Sequence, residues 1–268
     1  MRTALTIAGS DSGAGAGIQA DLKTFAALGV YGTSAIAALT AQNTVAVTAV
    51  LDVPPTFVVA QIEAIVSDLG CDAVKTGMLA SRAVVDAVAD AIARLALPNL
   101  VVDPVMVAKS GDALLAEDAV DAVRRRLLPL AAVVTPNVPE AEALTGRRIR
   151  TRDDARDAAH ALRAAGARAV VVKGGHLDRA DIVDVLVVGD RDVEVVGERV
   201  PGRHTHGTGC TFASAIAARL ALGDDVEAAV RAAQAYVRAA MRAGIPLGAG
   251  HRPLDHQWKA RAAGILDD

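Results

Sequence analysis

Short runs of aliphatic and β-branched residues recur along this chain, each followed by a longer alanine-rich stretch, and this alternation restricts its possible folds more than any other feature. The runs at 3–8, 34–39, 73–75, 100–103, 132–135 and 169–173 are close to continuous in apolar side chains. A strand with one wet face alternates apolar and polar residues, so continuous runs indicate burial on both faces. Helical stretches are expected from the first glycine-rich turn to about 28, from Pro54-Pro55 to about 69, and at 81–95 and 117–127. A pair of helices follows between 135 and 169, and two more close the chain at 210–222 and 224–243. Strand and helix in succession build βαβ units, which set a mostly parallel sheet between two layers of helices. The runs at 182–188 and 193–196 have no helix between them, and Gly189-Asp190-Arg191 joins them as a hairpin. No linker, repeat or low-complexity segment interrupts residues 1–256, which read as a single α/β domain; 257–268 form a tail without assigned structure.

With 52% hydrophobic but only 2% aromatic residues, the core must be built from Ala, Val, Leu and Ile. A net charge of −3 supplies no basic field for nucleic acid or an anionic membrane. Arg124-Arg125-Arg126 stands late in a helical stretch, where it complements the negative helix end. The charge-free stretch 24–51 is long enough to span a bilayer, but Gly29, Gly32, Thr40, Gln42, Asn43 and Thr44 break it, so it reads as the interior of a soluble domain. The apolar run at the start is too short for a secretory signal and meets Asp11, which makes the cytoplasm the expected compartment. Cys71 and Cys210 do not constitute a disulfide framework.

Ligands of open parallel sheets bind beyond the carboxyl ends of the strands, and the polar motifs fall there. Gly9, Gly13, Gly15 and Gly17 recur in the first strand-to-helix turn, a density that suits close approach of backbone to a ligand. The turn formally fits a dinucleotide fingerprint, but no acid ends the second strand, and no Gly-Lys-Ser/Thr follows to make a Walker loop. Asp21 follows on the first helix, facing the same cleft if the turn is tight. Gln42, after the second strand, offers amide donor and acceptor to a heterocycle edge. Asp103 ends a buried strand before Pro104, where it is either a helix cap or a metal or phosphate ligand. Asn137 and Glu140 fit a capping box, and alternatively hold Mg²⁺ through water. Lys173, before Gly174-Gly175, can reach a phosphate. Gly207-Thr208-Gly209-Cys210 open an apolar helix whose exposed amides form an anion site, in a field that lowers a thiol pKa. His204-Thr205-His206 lacks the partner spacing of a zinc site.

The blocks AGSDSGAGAGIQADLKT, TAQNT, KTGMLAS, DPVMVAKSG, TPNVPEAEALTG, VVKGGH, HGTGCTFASAIAA and GAGHRPLDH occur in this order from Ala8 to His256. Together they resemble the hydroxymethylpyrimidine/phosphomethylpyrimidine kinases of thiamine biosynthesis. The resemblance implies a three-layer αβα ribokinase-like fold with a mostly parallel central sheet, a homodimer, ATP and Mg²⁺, and two successive phosphorylations of 4-amino-5-hydroxymethyl-2-methylpyrimidine. By position it implies Gln42 at the pyrimidine edge, Asp21 near its amino group, and Gly9, Met78 and Val105 as pocket walls. Asp103 and Glu140 match the metal region, with Asn137, Lys173 and Gly174 on the nucleotide side. Gly207, Thr208 and Gly209 match the anion hole, which also faces the nucleotide, and Cys210 the base. Ribokinase-like sugar kinases carry Asp where Cys210 stands. Some pyridoxal kinases share the GTGC pattern, so pyridoxal or pyridoxine is the alternative substrate.

Overall fold

The computed structural model describes residues 1–106, 117–176 and 181–266. The chain begins with β1 (Thr3–Ser10), α1 (Gly17–Ala27), β2 (Tyr31–Gln42) and β3 (Val47–Asp52). Next come α2 (Pro55–Asp68), β4 (Ala73–Thr76), α3 (Arg82–Arg94), β5 (Leu100–Val102) and α4 (Glu117–Ala122). After β6 (Val133–Val134) follow α5 (Val138–Thr145), α6 (Arg152–Ala164), β7 (Ala169–Val172), β8 (Asp181–Val188) and β9 (Arg191–Glu198). The last elements are β10 (His204–His206), α7 (Thr208–Ala221), α8 (Val226–Arg242), β11 (Arg252–Pro253) and α9 (Trp258–Ala262).

One sheet takes nine of these strands in the order β3-β2-β1-β4-β5-β6-β7-β8-β9. The six from β2 to β7 are parallel; β3 at one edge and the β8–β9 hairpin at the other run antiparallel. Neighbouring residues of a strand point to opposite faces, and here each face has its own core. Leu5 and Ile7, Leu100 and Val102, and Val170 and Val172 pack with α2, α3, α5 and α6. Ala4, Val101, Ala169 and Val171 pack with α1, α7 and α8. Burial of each large aliphatic side chain contributes roughly 1.5–3 kcal/mol. α7 carries Ala213, Ala215, Ala217 and Ala218, all fully buried, so it can lie close to the sheet and to both α1 and α8.

The mostly parallel sheet under two helical layers agrees with the sequence reading. Four details differ. β3 was not expected, because it is almost wholly exposed and carries no burial signal; pairing with it lengthens β2 to Gln42. The β8–β9 turn is Gly189-Asp190 alone, with Gly189 at φ 56° and Arg191 already paired to Val188. The helix expected over 117–127 stays α-helical only to Ala122 and widens to π-helix over Val123–Leu127. In the tail, α9 forms with no buried residue. Residues 107–111, which end the DPVMVAKSG block, and 267–268 lie outside the described residues. Among the described residues no helix is long and apolar enough to cross a membrane.

Candidate active site

The sheet order reverses at β1: β2 and β3 build outward on one side, β4 and its successors on the other. A crevice opens outside the carboxyl ends of the strands at such a point. Asp11 beyond β1, Met78 beyond β4, Asp103 beyond β5 and Lys173 beyond β7 line one cleft of about 710 Å³, together with Cys210 near the head of α7.

Asp103 is buried, with Lys173 Nζ donating to its Oδ1 at 3.2 Å. Its Oδ2 is also buried and has no hydrogen-bond partner among the described residues. An unpaired buried carboxylate oxygen is costly, and at a cleft wall it is an open position for a cation. Glu140 reaches the same place from α5, with Oε2 3.9 Å from Lys173 Nζ. The capping box is formed in full: Glu140 N donates to Asn137 Oδ1 at 2.9 Å, and Asn137 N donates to Glu140 Oε2 at 2.8 Å. Glu140 is therefore both a cap and a member of the charged cluster. Burial raises its carboxyl to about 7 against the opposing pull of Lys173. Burial alone would depress Lys173, but the Asp103 and Glu140 carboxylates outweigh it and hold the ammonium above its ordinary range. Asn137 also bridges to Lys173 as an isolated parallel pair, which ties the two strand ends together. No group of three or more His, Cys, Asp or Glu among the described residues is arranged to enclose a metal, so a cation here would complete its shell from phosphate oxygens and water.

Gly207 starts α7 at φ 78° with no side-chain cap. A Cβ there would run into the carbonyl oxygen of Gly15, so only glycine fits. The first helical bond runs from Thr211 N to Gly207 O at 2.9 Å, leaving the amides of Thr208, Gly209 and Cys210 without an intrahelical acceptor. All three residues line the cleft. Gly209 faces Lys173, whose Nζ would stand 3.4 Å from a Cβ there. Uncapped amides and a fixed ammonium thus converge on one volume, an anion site. The Thr208 hydroxyl turns back to Thr205 O at 3.2 Å, so its amide is the group that faces the cleft. Burial pushes the Cys210 thiol up to about 12, reinforced by Asp21 and Asp103 and opposed by Lys75. The Gly17 N–H near Cys210 pulls its thiol downward, the smallest of these influences. The lowering expected from the helix end is outweighed, and Cys210 is a thiol at neutral pH.

In the same cleft, Gly9 N donates to Met78 O at 3.0 Å, and a Cβ on Gly9 would lie 2.7 Å from Met78 Cε. Glycine therefore lets Met78 lie across the end of β1. Val105 and Gln42 also line the cleft. Gln42 Oε1 accepts from Thr40 Oγ1 at 3.2 Å. Ser12 Oγ pins its backbone, donating to Gln42 O and accepting from Gln42 N, both at 2.8 Å.

Two expected site residues stand elsewhere. Asp21 is fully buried and does not line the cleft. It accepts from Thr6 Oγ1 and Ser214 Oγ at 2.6 Å and from Lys75 Nζ at 2.9 and 3.1 Å. The face of α1 that carries it is the packed face, and the carboxylate neutralises a lysine with no access to water. Gly174 donates its amide to Asp184 Oδ1 at 2.9 Å rather than to the cleft, and Gly175 lines the cleft instead. Among the cleft residues that were not anticipated are Asp11, Lys75, Asp184 and His206. Each had a signal: Asp11 lies inside the glycine run, Lys75 ends a strand before Gly77 as Lys173 does before Gly174, and His206 directly precedes Gly207. Asp184 lay within an apolar strand, where a carboxylate demands partners.

A family model described as phosphomethylpyrimidine kinase matches residues 11–255, which takes in the cleft from Asp11 through the head of α7. The chain belongs to the phosphomethylpyrimidine kinase family. A hydroxymethylpyrimidine/phosphomethylpyrimidine kinase of Rhizobium meliloti (strain 1021) is 54% identical to it over 263 residues, covering 96% of this chain and 98% of the relative. The thiamine biosynthesis bifunctional protein ThiED of Geobacter sulfurreducens is 52% identical over 252 residues, 94% of this chain but only 51% of that protein, so this chain spans about half its length. The ADP complex of Bacillus subtilis pyridoxal kinase matches with a TM-score of 0.90 at 40% identity, covering 97% of this chain and 98% of the other. This phosphomethylpyrimidine kinase family member therefore has the three-layer αβα, ribokinase-like architecture that its motifs implied.

Proposed function

We propose that this chain transfers the γ-phosphoryl group of ATP first to the hydroxymethyl oxygen of 4-amino-5-hydroxymethyl-2-methylpyrimidine, and then to the monophosphate so formed. The observation that carries the reading is the convergence of the uncapped α7 amides with Lys173 in a cleft that Gly9, Met78 and Gln42 also line. Phosphoryl transfer passes through a loose transition state with charge spread over the transferred oxygens, so catalysis is largely positioning and charge stabilisation. The amides of Thr208, Gly209 and Cys210 and the Lys173 ammonium would hold that charge. In the first step the acceptor oxygen bonds to the γ-phosphorus, the bond to the ADP oxygen breaks, and the hydroxyl proton passes to a Cys210 thiolate. Asp103 and Glu140 would hold Mg²⁺, which when bound neutralises charge on the phosphates. Gln42 would present its amide to the pyrimidine edge, with Gly9, Met78 and Val105 as walls. Asn137 and Lys173 would stand on the nucleotide side.

The pyridoxal kinase likeness supplies the second reading, with pyridoxal or pyridoxine as acceptor. ADP formation measured over a panel of the hydroxymethylpyrimidine, its monophosphate, pyridoxal and pyridoxine, with products identified by ³¹P NMR, separates the two. Turnover of the pyrimidines well above the pyridoxines is expected. Turnover confined to the pyridoxines, or to none, would overturn the proposal. We also propose that residues 1–256 act as one domain, in a homodimer in the cytoplasm, which light scattering and fractionation test.

A further inference from the structure

His206, set aside as a zinc ligand, ends β10 immediately before Gly207 and the head of α7. Its Nε2 lies 2.9 Å from Asp11 Oδ2, across 195 residues of sequence, and both side chains are buried. The Asp11 carboxylate accepts three backbone bonds as well: Gly13 N to Oδ1 at 2.8 Å, and Gly15 N and Ala16 N to Oδ2 at 3.1 and 2.8 Å. A carboxylate that collects three amide donors is an acceptor throughout, so Nε2 carries the proton and donates. The turn that Asp11 gathers is strained: Ala14 sits at φ 58°, a conformation that non-glycine residues hold only when their surroundings enforce it. The imidazole packs against that turn, since a Cβ on Gly15 would fall on its ring, and a Cβ on Gly207 would strike the Gly15 carbonyl.

We propose that the Asp11–His206 pair is a clamp that holds the acceptor-side turn (9–17) in register with the anion-binding head of α7, so that the acceptor oxygen rather than water faces the phosphoryl group. The inference rests on the proposed assignment of those two segments to acceptor and phosphate. Neither residue is given a chemical step; both act as positioning residues. A misplacement of about 1 Å between reacting groups can cost on the order of 10²-fold in rate. It would also open a path for water beside the anion site.

The test is the ratio of ADP formed to phosphoryl groups gained by the pyrimidine, a monophosphate counted once and a diphosphate twice, at saturating ATP and acceptor. In the unaltered protein the ratio should be one; failure to form the pyrimidine phosphate at all would strike the proposed function rather than the clamp. His206→Phe keeps an aromatic ring and removes the donor; its ratio should rise severalfold while kcat for product falls on the order of tenfold or more. His206→Gln restores a donor and should bring the ratio back toward one. A ratio of one in His206→Phe, whatever the loss of kcat or of melting temperature, overturns the clamp, because a merely destabilised enzyme loses both products together. Should His206→Phe not fold, Asp11→Asn decides: it keeps one acceptor oxygen and removes the other, and a ratio of one there equally overturns the proposal.

Discussion

Lys75 and Asp21 are a charged pair with no exposed surface at all. Removing one partner of such a pair leaves an uncompensated buried charge, which typically costs about 3–5 kcal/mol. Asp21→Leu should therefore lower stability in urea by about that amount, and the double variant Lys75→Met/Asp21→Leu should recover part of it in a mutant cycle. An Asp21→Leu protein of full stability, altered only in pyrimidine KM, would return Asp21 to the substrate site. From sequence alone Asp21 looks like a cleft carboxylate, because nothing local shows that its helix face is packed or that a lysine 54 residues away meets it. Asp103 was legible for the converse reason: its strand is apolar up to the aspartate and Pro104 stops it there. Cys210 carries a second expectation. As a thiol near 12, its thiolate fraction grows tenfold per pH unit across the neutral range. If it takes the alcohol proton, log kcat for the first phosphorylation should rise with near-unit slope from pH 6.5 to 9, and Cys210→Ala should abolish the slope and cost about 10²–10⁴-fold. The second acceptor is an already ionised phosphate oxygen, so that step should show neither effect. Equal losses in both reactions would make Cys210 a packing residue.

Among the elements, the strands that lie in an apolar run were readable, even the two-residue β6, and those without such a run were not. β3 shows one half-buried and five exposed residues, so no apolar run announces it. β10 and β11 have three and two residues, too few for any periodicity. They are held instead by contacts between distant segments, such as His251 N to Thr44 O at 2.9 Å, which brings the GAGHRP stretch onto the β2–β3 turn. The segment after β11 is anchored by His256: Thr211 Oγ1 lies 2.9 Å from its Nε2, and Tyr236 Oη donates to its carbonyl oxygen at 2.8 Å. Burial lowers His256 to about 4, with Lys23 adding to the effect and Asp255 opposing it. An unfolded chain binds a proton there near pH 6.5 and the folded chain does not, so stability falls as pH drops from about 6.5 to about 4. The slope is about 1.4 kcal/mol per pH unit at most. Thermal melts at intervals across that window should show the loss, and His256→Gln should flatten it. An unchanged acid limb in that variant would assign the effect to other groups.

For the whole molecule, the cleft draws its walls from both edges of the polypeptide's history, and a ligand bound there should stabilise all of it together. A nucleotide at about a hundredfold excess over its Kd adds about 2.7 kcal/mol, which for a protein of this size corresponds to roughly 5–10 °C in Tm. Lys173→Met should remove most of the shift given by ATP; a shift left intact would place the nucleotide elsewhere. The order of the strands has one more outcome. Asp11 meets His206 across 195 residues and Asp21 meets Ser214 across 193, so the first turn of the chain is complete only once α7 has been made and has docked against α1 and β1. Contacts of such long sequence separation close late in folding. During synthesis the amino-terminal strands can pair as they leave the ribosome, while the phosphoryl-transfer centre stays unassembled until nearly the last helices arrive, and a prematurely terminated chain consumes no ATP.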